Sequence, residues 1–345
     1  MPNETKETAG NATATKTVKI VRFHQTGGPE VLKIEDLPLP EPANGEVRLR
    51  VKAIGLNRAE AMFRLGRYLS QPILPSKLGY EASGVVEAVG EGVDASWIGK
   101  TASTVPAFPV EQYGVYGEVA IVPASALAVY PASLSFEEGT SIWMQYVTAY
   151  GALVHLGKIA KGDFVVITAA SSSVGLAAIE IVKAEGATSI AVTRTRAKAA
   201  ELTSLGADHV VVTDDEDLVA RVKQITAGKG ARLVFDPIGG PIVEKLAAVT
   251  AFQGIIFEYG GLSGEPTPLP LFAALSKSLT FRGYTLFEIN TVPDLREQAQ
   301  RYVFDKLRTG AFKPRIAKTF KLEEIVEAHR YMESSQQIGK IVVTV

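Results

Sequence analysis

Two hydrophobic periods divide the chain. From Lys16 to about Ser135, apolar and polar residues alternate in runs of strand length. Glu46–Gly55 (EVRLRVKAIG) shows the alternation most clearly, and Val18–His24, Val31–Leu37, Gly84–Gly90 and Glu118–Val122 continue it. Gly and Pro punctuate the runs at GGPE, PLPEPANGE and PASLS, as turns between strands require. The pattern predicts an all-β unit with few helices.

From about Gly139 the period changes. Six compact apolar runs follow: Asp163–Thr168, Ser189–Thr193, His209–Thr213, Leu233–Asp236, Gly254–Tyr259 and Leu279–Tyr284. Helical stretches separate most of them, at Val174–Glu185, Ala197–Leu205, Asp215–Ala227 and Pro241–Ala251. Apolar strands alternating with helices predict an α/β fold, a parallel sheet covered on both faces. Six such strands match a doubly wound dinucleotide-binding domain. Beyond Phe287 a helix is predicted over Pro293–Arg308. The β-like runs Ala317–Lys321 and Lys340–Val345 then flank a helix at Leu322–Glu333. These last strands lack crossover helices, so they are assigned back to the first unit. The predicted organisation is a disordered tail at 1–16, a β-rich domain from 17–139 and 289–345, and a dinucleotide domain inserted at 140–288. The cleft between the two domains is the expected site.

Composition narrows the chemistry. The chain has 345 residues, room for two cores. Its formal net charge of -1 supplies no field to attract nucleic acid. No apolar run reaches the roughly 18–20 residues that span a bilayer. The polar N-terminus MPNETKETAGNATATKT has no apolar stretch of a secretory leader, so a soluble cytoplasmic protein is expected. The absence of cysteine removes disulfides, zinc–thiolate sites and a Cys nucleophile. His24, His155, His209 and His329 are scattered without a close ligand pair, and each is expected to be structural or superficial.

The stretch VVITAASSSVGLAAIEI reads as strand, small-residue turn and helix. Small residues let backbone N–H groups approach a pyrophosphate at a helix N-terminus. The three positions of the G-x-G-x-x-G pattern are Ala170, Ser172 and Gly175, so only the last glycine is present. Ser171, Ser172 and Ser173 offer N–H and hydroxyl donors, with Val174 opening the helix. Alone, the segment also fits an ordinary turn with a serine cap. The six-strand context favours the phosphate reading. In AVTRTRAKAAEL, Thr193 stands where an acid would bind the ribose 2′-hydroxyl of NAD, and no acid follows until Glu201. Arg194 and Lys198 suit a 2′-phosphate instead, while Arg196 is free to point at solvent. Two charge-assisted bonds of about 1.5–3 kcal/mol each would favour NADPH by about two orders of magnitude.

Gly55–Val93, together with TAASSSVGLAAI, LGADHVV, FDPIGG and MQYVTAYGAL, resembles the medium-chain dehydrogenase/reductase superfamily, in its zinc-independent quinone oxidoreductase branch. The resemblance runs over about residues 17–345. It implies a GroES-like catalytic domain around a Rossmann domain, NADPH in the cleft, and a homodimer built by joining Rossmann sheets edge to edge. It implies hydride transfer to a quinone or to the activated C=C bond of an enone or enal. The alternatives are an alcohol or carbonyl dehydrogenase and a non-catalytic NADPH-binding protein. The catalytic zinc ligands of zinc-dependent members correspond to Asn57, Tyr80 and Met144, none a normal ligand, so no metal is expected. Ser96–Val110 carries no ligand set for a structural zinc.

The resemblance also implies residue roles. Candidate donors are Asn57, Arg58 and Tyr80. Asn57 is assigned substrate or cofactor contact, beside the plainer reading of a turn cap. Tyr80 is assigned a hydrogen bond or proton to the developing enolate, beside that of a packed tyrosine. Gln145 and Thr148 lie at the domain junction, Tyr259 and Leu286 follow the fifth and sixth strands, and Lys340 is matched to a residue that reaches the cofactor phosphates. Met62, Phe63, Tyr116, Trp143 and Phe287 are the expected pocket lining. Met62 stands where many quinone reductases carry a tyrosine.

Overall fold

The computed structural model describes residues 16–345. The predicted tail lies outside them except for Lys16, whose carbonyl accepts from Leu39 N–H at 2.8 Å. The first strands are β1 (Thr17–Arg22) and β2 (Lys33–Pro38), an antiparallel ribbon. Next come β3 (Glu46–Gly55), β4 (Glu81–Val89), β5 (Thr101–Thr104), β6 (Val119–Pro123) and the short β7 (Leu127–Ala128). β3 is the pivot of this half. It pairs antiparallel with both β4 and β6, and its alternate residues Val47, Leu49, Val51 and Ala53 are buried. A helix at Arg58–Arg64 breaks the β-rich pattern. Glu60 starts it by accepting Asn57 N–H at 2.7 Å, a capping-box contact.

The second half holds β8 (Phe164–Ile167), β9 (Thr188–Thr193), β10 (His209–Val212), β11 (Ala231–Asp236), β12 (Thr250–Glu258) and β13 (Thr280–Gly283). All pair in parallel, in the order β10-β9-β8-β11-β12-β13. The order reverses between β8 and β11, and ligands of such sheets bind outside the strand ends at that switch. The chain then runs through the helix Pro293–Arg308 to β14 (Ile316–Lys321) and β15 (Lys340–Thr344). β15 pairs antiparallel with β3, so the last strand completes the first sheet.

Between the halves lies a segment the period did not predict. Trp143–Ala149 is an α-helix that continues as a π-helical stretch over Tyr150–Leu156. Every residue of Trp143–Ala149 is buried, so no polar face marks it in the sequence. Its Tyr146 ring stacks on Phe312 at 4.7 Å, and its hydroxyl donates to Glu180 at 2.6 Å. Tyr302 on Pro293–Arg308 donates to Glu185 at 2.8 Å across the same seam.

Candidate active site

A cleft of about 550 Å³ opens between the two sheets. One wall is the turn after β8. Ala169 there has φ 44°, a left-handed conformation uncommon outside glycine. Ser172 then caps the helix Ser173–Ala184, its hydroxyl accepting Gly175 N–H at 3.0 Å. A Cβ on Gly175 would lie 2.6 Å from Ala170 O, so the glycine is fixed by helix–strand packing. Ser172, Ser173 and Val174 line the cleft. Ser171 is not part of that lining; its hydroxyl accepts from Lys198 Nζ at 3.0 Å.

Lys198 does more than the sequence suggested. Its ammonium also donates to the carbonyls of Ser335 at 2.7 Å and Gln337 at 3.0 Å, joining the dinucleotide half to the segment before β15. Burial, then the nearby Arg194 charge, lowers its pKa. Arg194 is exposed. Arg196 pairs with Asp215 at 2.9 Å on the surface. Thr193 is buried and its carbonyl accepts Thr213 N–H at 2.9 Å.

The opposite wall is a buried polar knot. Lys340 Nζ donates to Asn57 Oδ1 at 2.6 Å and to Glu81 Oε2. Asn57 Nδ2 faces Gly55 O at 3.2 Å, Glu60 Oε1 at 3.2 Å and Glu81 Oε2 at 3.3 Å. Glu81 Oε1 accepts Met144 N–H at 2.8 Å. Glu60 accepts further from Tyr80 N–H at 3.0 Å and the Tyr116 hydroxyl at 2.6 Å. Burial raises the Glu60 pKa, and these donors and the Lys340 charge oppose it.

This geometry corrects the assignment of Lys340. Two of its three hydrogens are committed to Asn57 and Glu81, so it is tied into this wall rather than extended toward phosphates. Asn57 lines the cleft, but both amide hydrogens are drawn to the three acceptors behind it.

Four expected lining residues sit elsewhere. Phe63 is fully buried, edge-on to Phe23 at 6.0 Å. Trp143 is buried with Nε1 donating to Ser103 at 2.8 Å, and buried Tyr116 serves Glu60. Phe287 packs behind the wall, 5.8 Å from the Tyr80 ring. Tyr80 itself is buried between Phe287 and Phe108, outside the lining, and burial drives its pKa far up. It supports the wall rather than fronting it. Gln145 is also buried, outside the lining. Met62, Met144, Thr148, Tyr259 and Leu286 do line the cleft.

The sequence reading missed Tyr68 and Glu258; Arg58 it named as a candidate donor near the cleft. Arg58 lines the cleft and donates to Glu333 O at 3.2 Å and to the Ser335 hydroxyl. Glu258 carried a signal in the sequence: it is an acid at the end of the apolar run GIIFEY.

Residues 43–132 match the alcohol dehydrogenase GroES-like domain, and residues 173–301 match the family model described as zinc-binding dehydrogenase. Quinone oxidoreductase 1 of Escherichia coli (strain K12) is 32% identical over 327 residues, 92% of this chain and 97% of that protein. The chain belongs to the quinone oxidoreductase branch of the medium-chain dehydrogenases/reductases. A 2-haloacrylate reductase of a Burkholderia species is 30% identical over 329 residues, 93% of this chain and 97% of its own. The crystal structure of Escherichia coli quinone oxidoreductase complexed with NADPH superposes with a TM-score of 0.88 at 31% identity, covering 95% of this chain and all of that one. The GroES-like and Rossmann architecture expected of the branch is the one described above. The serine turn meets the cleft from the parallel sheet and the Asn57–Glu81–Lys340 knot from the antiparallel one.

Proposed function

We propose that this chain is an NADPH-dependent reductase that transfers hydride to a quinone or to an activated C=C bond, without zinc. One observation carries the reading. A cleft joins a serine-lined helix N-terminus to a wall where Asn57 and Met144 face the cavity and Tyr80 packs behind them. The helix end fits a pyrophosphate, because Ser172, Ser173 and Val174 line the cavity where a helix leaves its first N–H groups without intrahelical partners. Ser171 and Lys198, bonded to each other, and the exposed Arg194 would hold a 2′-phosphate, which would compete with the Ser335 and Gln337 carbonyls for the Lys198 ammonium. Bound NADPH supplies the hydride. The apolar lining of Leu56, Met62, Met144 and Leu286 excludes water around a planar acceptor. The developing oxyanion needs donors, and the Arg58 and Tyr68 side chains line the same cavity.

The proposal keeps the boundaries 17–139 and 289–345 for the catalytic domain and 140–288 for the Rossmann domain, a cytoplasmic setting, and a homodimer. Support for the dimer is the open edge of β13, with Phe252, Leu271, Phe272 and Leu275 exposed nearby. No described helix is long and apolar enough to cross a membrane.

The test is NADPH oxidation by the purified protein with EDTA present, against 1,2-naphthoquinone and a panel of enones and enals, with NADH in parallel. EDTA-resistant turnover preferring NADPH is expected, and Lys198→Met should narrow that preference about tenfold, the worth of one charge-assisted bond. Activity abolished by EDTA would refute the zinc-free reading.

A further inference from the structure

β11 and β12 end in two acids side by side. Asp236 and Glu258 are register partners at the C-terminal ends of these parallel strands, so their side chains leave the same face of the sheet. Asp236 is fully buried and saturated with donors. It accepts from the Thr168 hydroxyl, from Ile238 N–H at 3.2 Å and from Gly239 N–H at 2.8 Å. Those donors already satisfy the Asp236 oxygens. Glu258 differs. Both of its carboxyl oxygens are buried, and neither meets a donor among the described residues. Strand register sets them beside the Asp236 carboxylate. Two carboxylates facing each other have no hydrogen bond to make unless one carries a proton.

Among the described residues no cation is hydrogen-bonded to Glu258. On β13 the residue in register with Glu258 is Gly283, and Arg282 beside it is paired with Glu288 at 2.6 Å. Tyr284 donates to Val147 O at 3.3 Å, and the Tyr259 hydroxyl is buried without a partner. Lys340 is held by Glu81 and Asn57, and Lys198 by the loop carbonyls. Burial and the neighbouring Asp236 charge push the Glu258 pKa up to about 8. Glu258 also lines the cleft that holds Ser172, Ser173 and Val174, with Asp236 buried behind it.

We propose that Glu258 and Asp236 hold a single proton between them and that this proton is a condition of cofactor binding, so that the chain takes up a proton when a dinucleotide enters. The inference rests on the NADPH reading above. Its physics is charge. Bound NADPH brings several phosphate charges into the cavity, and a second carboxylate there would repel them. The protonated pair carries one negative charge rather than two, and an anionic ligand in turn strengthens its hold on the proton. Glu258 is thus a positioning residue, with no part in the hydride step.

The test is NADPH affinity from cofactor fluorescence between pH 7 and pH 9, for the wild type and Glu258→Gln. The amide of the variant donates to Asp236 and stays neutral, so it copies the protonated pair. Wild-type Kd should rise about three- to tenfold over that range, a pKa shift of up to about one unit, and the variant should change less than about twofold. Calorimetry of the wild type at pH 8, in two buffers of different ionisation enthalpy, should show proton uptake, and this needs no variant to fold. NADPH binding with equal pH slopes in both proteins, or without proton uptake, overturns the inference and leaves the cofactor reading standing. Failure to bind NADPH at any pH removes the cofactor reading, and the inference with it.

Discussion

Lys340→Met is the sharpest test of the catalytic wall. The substitution keeps the stem's length and removes only the ammonium. In the wild type the Lys340 side chain is 0% exposed and that of Glu81 1%, so neither charge has water to fall back on. Without Lys340, Glu81 keeps only two neutral donors, Met144 N–H at 2.8 Å and Asn57 Nδ2 at 3.3 Å. Glu60, equally buried, loses the nearby cation as well. Removing one partner of a buried pair costs about 3–5 kcal/mol, because the survivor is left uncompensated. That is a large share of the roughly 5–15 kcal/mol that holds a typical protein folded. The assay is urea unfolding at pH 7 of the wild type, Lys340→Met, Glu81→Gln and the double variant. Lys340→Met should lose about 3–5 kcal/mol, and adding Glu81→Gln should restore part of it, a coupling of about 1–3 kcal/mol. A loss below about 1 kcal/mol, or strictly additive costs, would show that the ammonium is not committed to Glu81.

Two further outcomes follow from the seam and the turn. Glu180 accepts from the Tyr146 hydroxyl at 2.6 Å and from Lys313 N–H at 3.2 Å, and burial pushes its pKa up from 4.5 to about 7. The folded protein then holds this proton where the unfolded chain has released it, so Glu180 makes stability fall as pH rises from about 4.5 to 7 and adds no slope above. Glu180→Gln should remove that slope from thermal midpoints measured between pH 5 and 8; unchanged slopes would count against it. Gly175→Ala would set a Cβ 2.6 Å from Ala170 O and 2.7 Å from its carbonyl carbon, both backbone atoms. The helix end must shift, which should cost about 1–3 kcal/mol in chemical denaturation and weaken NADPH binding; a variant as stable as the wild type would refute this packing role.

Legibility differed between the halves for physical reasons. The inner strands β8, β9 and β11 are buried on both faces and leave continuous apolar runs, and all six strands of the parallel sheet showed in the sequence, with ends shifted by a few residues. Glu46–Gly55 and Pro293–Arg308 were legible to the residue, the first by its alternation and the second as one long amphipathic helix. Trp143–Ala149 was not, because a helix buried all round has no period to read. Arg58–Arg64 is only seven residues long, too short for a pattern to outweigh its β-rich surroundings.

The site was less legible than the fold, and Lys340 shows why. The sequence places it 283 residues from Asn57 and 259 from Glu81, and nothing local says which way its stem turns. Strand register does. β15 pairs with β3 so that Val342 faces Gly55, and continuing that antiparallel count by two sets Lys340 opposite Asn57 on the same face. β3 pairs with β4 so that Gly55 also faces Glu81. The same register that closes the sheet therefore brings the asparagine, the acid and the lysine together at its end. Which residues carry chemistry can be guessed from their type and order; which of them meet is decided by long-range pairing, and one residue of slip in β15 would turn Lys340 to the other face.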